Sequence, residues 1–195
     1  MSASIQDLQS TIKRRAGLSR GNRFKVVITN PINGESGEDL TLLCESCTFP
    51  GRQILSTDFS VWRNANKVPT GYTDEDVTCV FYLTNDYYVK DLFDKWLVNI
   101  IDPVSYLANY TNTFAKTILL QQLNDADQKI YEVTLPKAWP VGVNSIELSN
   151  DADNTVQKLT VVFTYNTWSA EKFTPAAYVG TDKLSTWPTT RPWDS

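Results

Sequence analysis

Apolar and polar positions alternate with a period of two along most of this chain, and one segment breaks that pattern with a helical period. FKVVIT (24–29) and DLTLLCES (39–46) flank NPINGESGE, a stretch dense in turn formers, which predicts a first hairpin. ILSTDFSVW (54–62) and TDEDVTCVFYLT (73–84) follow, joined by a polar connection rich in Asn, Pro and Gly. In the first arm Ser56, Asp58 and Ser60 alternate with Thr57, Phe59 and Val61. In the second, Val77, Cys79, Phe81 and Leu83 alternate with Asp76, Thr78, Val80 and Tyr82. Alternation over both arms predicts a long hairpin with one wet face and one packed face.

The break comes at TNDYYVKDLFDKWLVNIIDP (84–103), where Leu92, Phe93, Trp96, Leu97, Ile100 and Ile101 repeat at helical spacing. Asn85 or Asp86 supplies the N-cap, and Asp102-Pro103 ends the helix, because a residue before proline avoids the α region. Strands then resume. FAKTILLQQL (114–123) and KIYEVTLP (129–136) flank the turn NDADQ, and residues 139–168 give two more strands around SNDADN. Residues 4–16 predict a short helix with Ile5, Leu8 and Ile12 on one side, followed by Lys13, Arg14, Arg15, Arg20 and Arg23. That basic run reads either as a solvated helix end or as a docking arm for an acidic partner. Residues 169–195 have neither period, and carry Trp187, Trp193 and three prolines, an extension that packs on its own domain or straps a neighbouring subunit. The pattern therefore predicts a mostly β chain, a β-sandwich or barrel with one flanking α-helix and a long hairpin. It divides into an N-terminal helical arm (1–22), a β domain (23–168) and an extended C-terminal arm (169–195).

Composition narrows the chemistry. The 195 residues suit one domain, with an ordinary 42% hydrophobic and 21% charged content. A net charge of −4 argues against binding nucleic acid through bulk attraction to phosphate. The absence of histidine removes the Ser-His-Asp and Cys-His mechanisms, His-ligated metals and the usual neutral-pH base. The first 24 residues hold no apolar core of an export signal, and no apolar run approaches the ~18 residues of a membrane helix.

Two motifs still carry candidate chemistry. Cys44 and Cys47 form a C-x-x-C pair, with Cys79 as the third thiol. A structural zinc site needs four ligands, and a redox pair sits at a helix start, whereas Cys47 is followed by the turn Thr48-Phe49-Pro50-Gly51. The thiols are therefore expected to serve as small packing groups. Three acidic clusters, Asp74-Glu75-Asp76, Asp125-Ala126-Asp127 and Asp151-Ala152-Asp153, offer paired carboxylates for glycan hydrolysis, but turns favour the same residues. Neither a calcium loop in register nor a phosphate-binding glycine loop is present.

From about Arg23 to Trp168 the segments resemble the tail tube protein of contractile-tailed bacteriophages. The likeness is carried by RFKVVIT, by CESCTFPGRQI, by the block from Asp58 to Asp86, by DLFDKWLVNI with its Phe-x-x-Trp, and by KAWPVGVNSIELSNDADNTVQKLTVVFTYNTW. In the last, Trp139-Pro140, Val143, Ile146, Leu148, Asn154, Gln157, Val161, Tyr165 and Trp168 fall in the family's order and spacing. The resemblance implies hexameric rings whose long hairpins and adjacent strands join an inter-subunit β-barrel around a channel. Rings stack inside a contractile sheath, and DNA passes down the lumen without specific binding. Implied partners are further copies of the chain, the tail sheath protein, and baseplate and tail-terminator proteins. The tube crosses the host membrane, and the protein resides in the virion after assembly in host cytoplasm. No catalysis, cofactor or metal is expected. Ser56, Asp58, Ser60, Asp74 and Asp76 are expected to face the lumen, their acidity repelling phosphate. The connections 62–72 and 30–39 are expected at ring-to-ring contacts, through Asn33, Glu35, Arg63, Asn64 and Lys67, or as simple exposed turns. A baseplate hub or tube initiator of the same fold is the alternative reading; a tail-associated cell-wall hydrolase and a DNA-binding module are more distant ones.

Overall fold

A computed structural model describes residues 4–15, 17–32, 37–61, 64–149 and 156–173. Seven strands form one antiparallel system: β1 (Phe24–Ile28), β2 (Cys44–Cys47), β5 (Val77–Tyr82), β6 (Lys116–Leu123), β7 (Lys129–Val143), β8 (Lys158–Thr164) and β9 (Ser169–Lys172). β7 is long enough to serve two sheets. Its first half pairs with β6 and β9, its second half with β8, and the order then runs through β5 to β2. The corner falls at Pro136-Lys137. Pro136 has no N–H to give a ladder, and Lys137 adopts φ 53°, where the register with β6 shifts. The two halves form a sandwich closed by alternating inward residues. Val77, Cys79 and Phe81 of β5 stand opposite Phe163, Val161 and Leu159 of β8, all fully buried. Val26 and Ile28 of β1 meet Leu120 and Ile118 of β6, which meet Val133 and Leu135 of β7.

The helix α3 (Tyr88–Ile100) closes this core, burying Val89, Leu92, Phe93, Trp96 and Ile100 at helical spacing. Phe93 stacks on Trp96 at 6.0 Å and meets Phe81 and Phe163 edge-on or tilted. The buried Trp96 indole N–H donates to the Phe114 carbonyl at 2.8 Å, so its burial leaves no polar debt. At the helix start Tyr87 takes the N-cap position in a left-handed conformation, φ 52°. Asp86, one residue earlier, does the capping work: its carboxylate accepts from the Tyr88 N–H and the Thr84 hydroxyl.

Three sequence expectations change. DLTLLC is a helix in part, α2 (Glu38–Leu43), not the second arm of a hairpin with β1; β1 pairs with β6 and β2 pairs with β5. A short apolar run is ambiguous in period, and here tertiary contact decides. A Cβ at Gly37 would lie 2.0 Å from the Ile28 carbonyl oxygen, so only glycine lets the chain fold back onto β1. The Thr41 hydroxyl then donates to the Val26 carbonyl at 2.6 Å, covering part of the β1 edge. Second, the long hairpin turns earlier than expected. Its arms are β3 (Arg52–Val61) and β4 (Asn64–Asp74), and most of the supposed loop 62–72 is β4 itself. Asn, Pro and Gly disguised it, but an edge strand tolerates them, with Pro69 beside the bulge that leaves Thr70 unopposed. Third, β9 pairs with β7, carrying the β domain past the boundary expected at Trp168 to at least Lys172.

The expected N-terminal helix is present as α1 (Ile5–Arg14), started by a Ser4–Asp7 capping box and burying no residue. A four-residue helix, α4 (Thr111–Phe114), precedes β6. Part of the basic run is already paired: Arg20 meets Asp125 at 3.2 Å and Arg23 meets Asp127 at 2.8 Å. Those two carboxylates thus tie the β6–β7 turn to the entry of β1. Asp151 and Asp153 lie outside the described residues.

The α2 assignment is open to a direct check. On a strand, positions 40 and 42 would share a face; in the helix Leu40 is fully buried and Leu42 is 81% exposed. Leu40→Ala is therefore expected to cost about 2–5 kcal/mol in denaturant unfolding, and Leu42→Ala less than about 0.5 kcal/mol.

Candidate functional site

β3 and β4 pair with each other and, among the described residues, with no other strand. The ribbon they form is nonetheless continuous with the core. β2 leads through residues 48–51 into β3, and β4 leads through Glu75-Asp76 into β5, while β2 and β5 are themselves partners. One antiparallel ribbon thus runs from a base inside the sandwich to a projecting hairpin.

Register assigns the two faces of the projection. On one face lie Arg52, Ile54, Ser56 and Asp58, opposite Asp74, Tyr72, Pro69 and Lys67. On the other lie Gln53, Leu55, Thr57 and Phe59, opposite Thr73, Gly71, Val68 and Asn66. Leu55, Phe59 and Val68 are exposed by 51%, 61% and 44%, an apolar surface with nothing over it among the described residues. The structure brings Ser56, Asp58 and Asp74 onto one face, and the Ser60 backbone continues that register opposite Ala65. Asp76 is exposed but lies on the link beyond β4. Lys67 sits on the same face opposite Asp58, not at the turn. Asn33, Glu35 and Arg63 lie outside the described residues, as do the side chains of Ser60 and Asn64. The face is less acidic than its carboxylates suggest, since each of the two strand carboxylates stands opposite a cation.

At the root of the projection a clamp forms around Arg52, a residue to which the sequence pattern assigns no role. Its guanidinium makes a bidentate pair with Asp74, at 2.7 and 3.0 Å. It also lies between two rings, 4.4 Å from the centre of Tyr72 and 4.9 Å from that of Trp168. The Tyr165 hydroxyl donates to the Glu75 carbonyl at 2.6 Å, the Glu75 N–H donates to the Gly51 carbonyl at 3.0 Å, and the Gln53 amide donates to the Glu75 carboxylate. Trp168 and Tyr165 follow β8, so the sandwich itself grips the ribbon where it leaves. The Arg52 hydrogen bond holds the Asp74 carboxyl below its ordinary range, against the opposing pull of desolvation. The Trp168 indole N–H meets no acceptor in full hydrogen-bond geometry, yet adds a weaker stabilisation of the same carboxylate. Burial, with Asp74 and Asp76 nearby, pushes the Tyr165 hydroxyl up to about 12.

A second feature is a groove of about 1010 Å³ between the open edges of β1 and β2, lined by Phe24, Val26, Leu42 and the thiols of Cys44 and Cys47 among others. Glu45 is the one carboxylate among its lining residues, and it is ion-paired with Lys158 at 2.5 Å. Glycan hydrolysis by paired carboxylates therefore has no pair to use there. Among the described residues no group of three or more His, Cys, Asp or Glu is arranged to hold a metal ion, and no helix is long and apolar enough to cross a membrane.

A corner-bearing β-sandwich with one packed helix and a projecting two-stranded ribbon defines a tube-type fold. It is shared with an anti-feeding prophage tube-terminating cap (TM-score 0.61, 13% identity, covering 80% of this chain and 92% of that one). It is shared equally with a chain of the anti-feeding prophage baseplate (TM-score 0.60, 13% identity, 80% and 96% covered). A chain of the PVC sheath–tube complex, from an extracellular contractile injection system, also matches (TM-score 0.57, 14% identity, 88% and 100% covered). At these identities the likeness is one of fold. No curated protein matches the chain in sequence. The model of the phage tail tube protein family matches residues 19–171, and the chain belongs to that family.

The clamp yields a pH prediction. Asp74 has a depressed folded-state pKa, so its contribution is complete above the unfolded carboxylate value of about 3.9, and is lost as pH falls through the lower folded value. In a carboxyl-carbon NMR titration Asp74 should titrate below the ordinary range, and Arg52→Ala should move its midpoint upward. A midpoint unchanged by Arg52→Ala would remove the clamp as its cause.

Proposed function

We propose that this chain is the repeating subunit of a tail tube, in which six copies close a ring and rings stack around a DNA-conducting channel. The observation that carries this reading is the ribbon whose apolar face and outer edges have no partner among the described residues of one chain. An isolated two-stranded hairpin is marginal in water, and unpaired edges invite addition of another strand. Head-to-tail repetition solves both problems: each ribbon pairs with the next copy's strands, and closure removes the edges.

Barrel geometry says how many strands each copy must give. Six ribbons alone make twelve strands, which close at a backbone diameter of about 24 Å for a ~4.8 Å spacing and a ~40° tilt. Side chains fill much of that width. Twice as many strands give about 48 Å by the same arithmetic, room for a duplex. The second pair comes from the strands beside β5 in the same sheet, β8 and the second half of β7. Sixfold symmetry is supported by the baseplate relative, whose structure was described as sixfold symmetrised.

In that ring the apolar face of Leu55, Phe59 and Val68 turns to the protein wall, and the face of Ser56, Asp58, Ser60 and Asp74 turns to the channel, with Asp76 continuing the line. Its cations stand opposite carboxylates, so phosphate meets no run of free positive charge and DNA slides past. Arg63, Asn64, Asn33 and Glu35 serve ring-to-ring contact, while Lys67 belongs to the channel face. A sheath on the outside, a baseplate and a terminator at the ends complete the partner set, as in the contractile assemblies named by the PVC sheath–tube and prophage baseplate relatives. The protein acts mechanically, in the virion tail.

Negative-stain microscopy at high protein concentration is expected to show stacked rings with a central hole. Phe59→Asp should abolish them while leaving the circular dichroism of the subunit unchanged. Single rings that never stack would favour the tube-initiator reading, and a wild-type protein that stays monomeric would sink both.

A further inference from the structure

Three thiols gather in the base of the ribbon. Cys47 of β2 and Cys79 of β5 stand directly opposite each other, and the Cys79 Sγ approaches the Cys47 Sγ to 3.0 Å. The next backbone bond, from the Thr48 N–H to the Thr78 carbonyl at 3.0 Å, marks 47/79 as a non-hydrogen-bonded pair. Such pairs bring Cα atoms to about 4.5 Å, inside the span a disulfide bridges. Cys79 is fully buried, whereas Cys47 and Cys44 are half-buried and line the groove between β1 and β2. All three are free thiols.

We propose that Cys47 and Cys79 are a redox modification site, closing a reversible cross-strand disulfide when the protein meets a low-molecular-weight disulfide such as oxidised glutathione. Access sets the order of events. Cys47, reached through the groove, loses its proton to solvent and attacks the S–S bond of the oxidant, releasing one glutathione thiolate. Cys79 then gives up its proton, and its sulfur attacks the Cys47 sulfur of the mixed disulfide, releasing the second. Two protein thiols are oxidised and one glutathione disulfide is reduced to two thiols, so the electrons balance. Hydrogen bonding to Cys44 and Cys47, together with burial, holds the Cys79 thiol well above its usual range, so Cys79 is not the entry group; its attack depends on Cys47 being held directly opposite it as the mixed disulfide. The Cys44 thiol also hydrogen-bonds Cys79, but Cys44 stands opposite Phe81, across a register shift, and is the thiol left over when the directly opposed pair closes.

The consequence is structural. The closed loop runs from Cys47 to Cys79 and encloses both arms of the projection, immediately below the Arg52 clamp. In a reducing compartment the base is held by packing and the β2–β5 ladder; outside it, the same base becomes covalent. This inference does not depend on ring assembly, because the isolated chain carries every group it needs.

The test uses the purified full chain, reduced and then incubated with excess oxidised glutathione before alkylation with iodoacetamide. Mass spectrometry is expected to find the loss of two hydrogens without an adduct, a single alkylated residue at Cys44, and a linked peptide pair joining Cys47 to Cys79. Dithiothreitol should restore three alkylatable thiols. Cys44→Ala should keep the linkage, and Cys47→Ser, checked for native circular dichroism, should lose it. Three thiols still free after oxidation, a stable glutathione adduct on Cys47, or linkage through Cys44 would overturn the assignment.

Discussion

The structure turns on a ribbon that runs on beyond the body anchoring it. Strands β2 and β5 begin inside a sandwich, where β5 gains a second neighbour in β8 and buries Val77, Cys79 and Phe81. Past Thr48 and Asp76 the same two chains have only each other. Beyond the Arg52 clamp neither face of β3–β4 is covered, and neither outer edge pairs with another strand, among the described residues. Backbone polar groups can turn to water at such an edge, but Leu55, Phe59 and Val68 gain nothing there. The projection is thus incomplete in the single subunit, while the core is complete: the buried Trp96 indole is satisfied and α3 closes the sandwich.

That division explains the concentration of polar detail at residues 51–53, 72–76 and 165–168. A free hairpin would sample many angles to the sandwich, and ordering it later would charge that entropy to assembly. Arg52 reduces the cost beforehand. A bidentate pair fixes the plane of the guanidinium, and the rings of Tyr72 and Trp168 fix its height, one ring from the ribbon and the other from the sandwich. Lysine would keep the charge and lose both the fork and the stacking. The contact is partly exposed, so its role lies in geometry more than in fold stability.

Periodicity made the core legible. Alternation at Val77, Cys79 and Phe81 and helical spacing at Leu92, Phe93, Trp96 and Ile100 led directly to buried faces, because each segment packs one side on apolar neighbours. It was weakest where tertiary contact overrides local pattern. LTLLC reads as a strand until Gly37 brings the chain against the Ile28 carbonyl, and NANKVPTGY reads as a loop until its partner strand is known. The clamp was invisible for a related reason. Arg52 and Asp74 are 22 positions apart, and only the correct register makes them partners. Ser56, Asp58 and Asp74 share a face in the register, whereas the cations opposite them were not legible, since parity along one strand says nothing of what stands across it.

The cysteines show the same limit from another side. Read along the chain, C-x-x-C at 44 and 47 proposes that those two sulfurs act together. Read across the ladder, Cys47 stands opposite Cys79, whereas Cys44 reaches the same thiol from a position opposite Phe81, across a register shift. The meaningful spacing is therefore 32 residues, the contour of the whole projection, and not three. A pairing between neighbours in sequence would constrain one strand end. A pairing across the base constrains everything beyond it, which is why the position of these thiols bears on the ribbon more than on the strand that carries two of them.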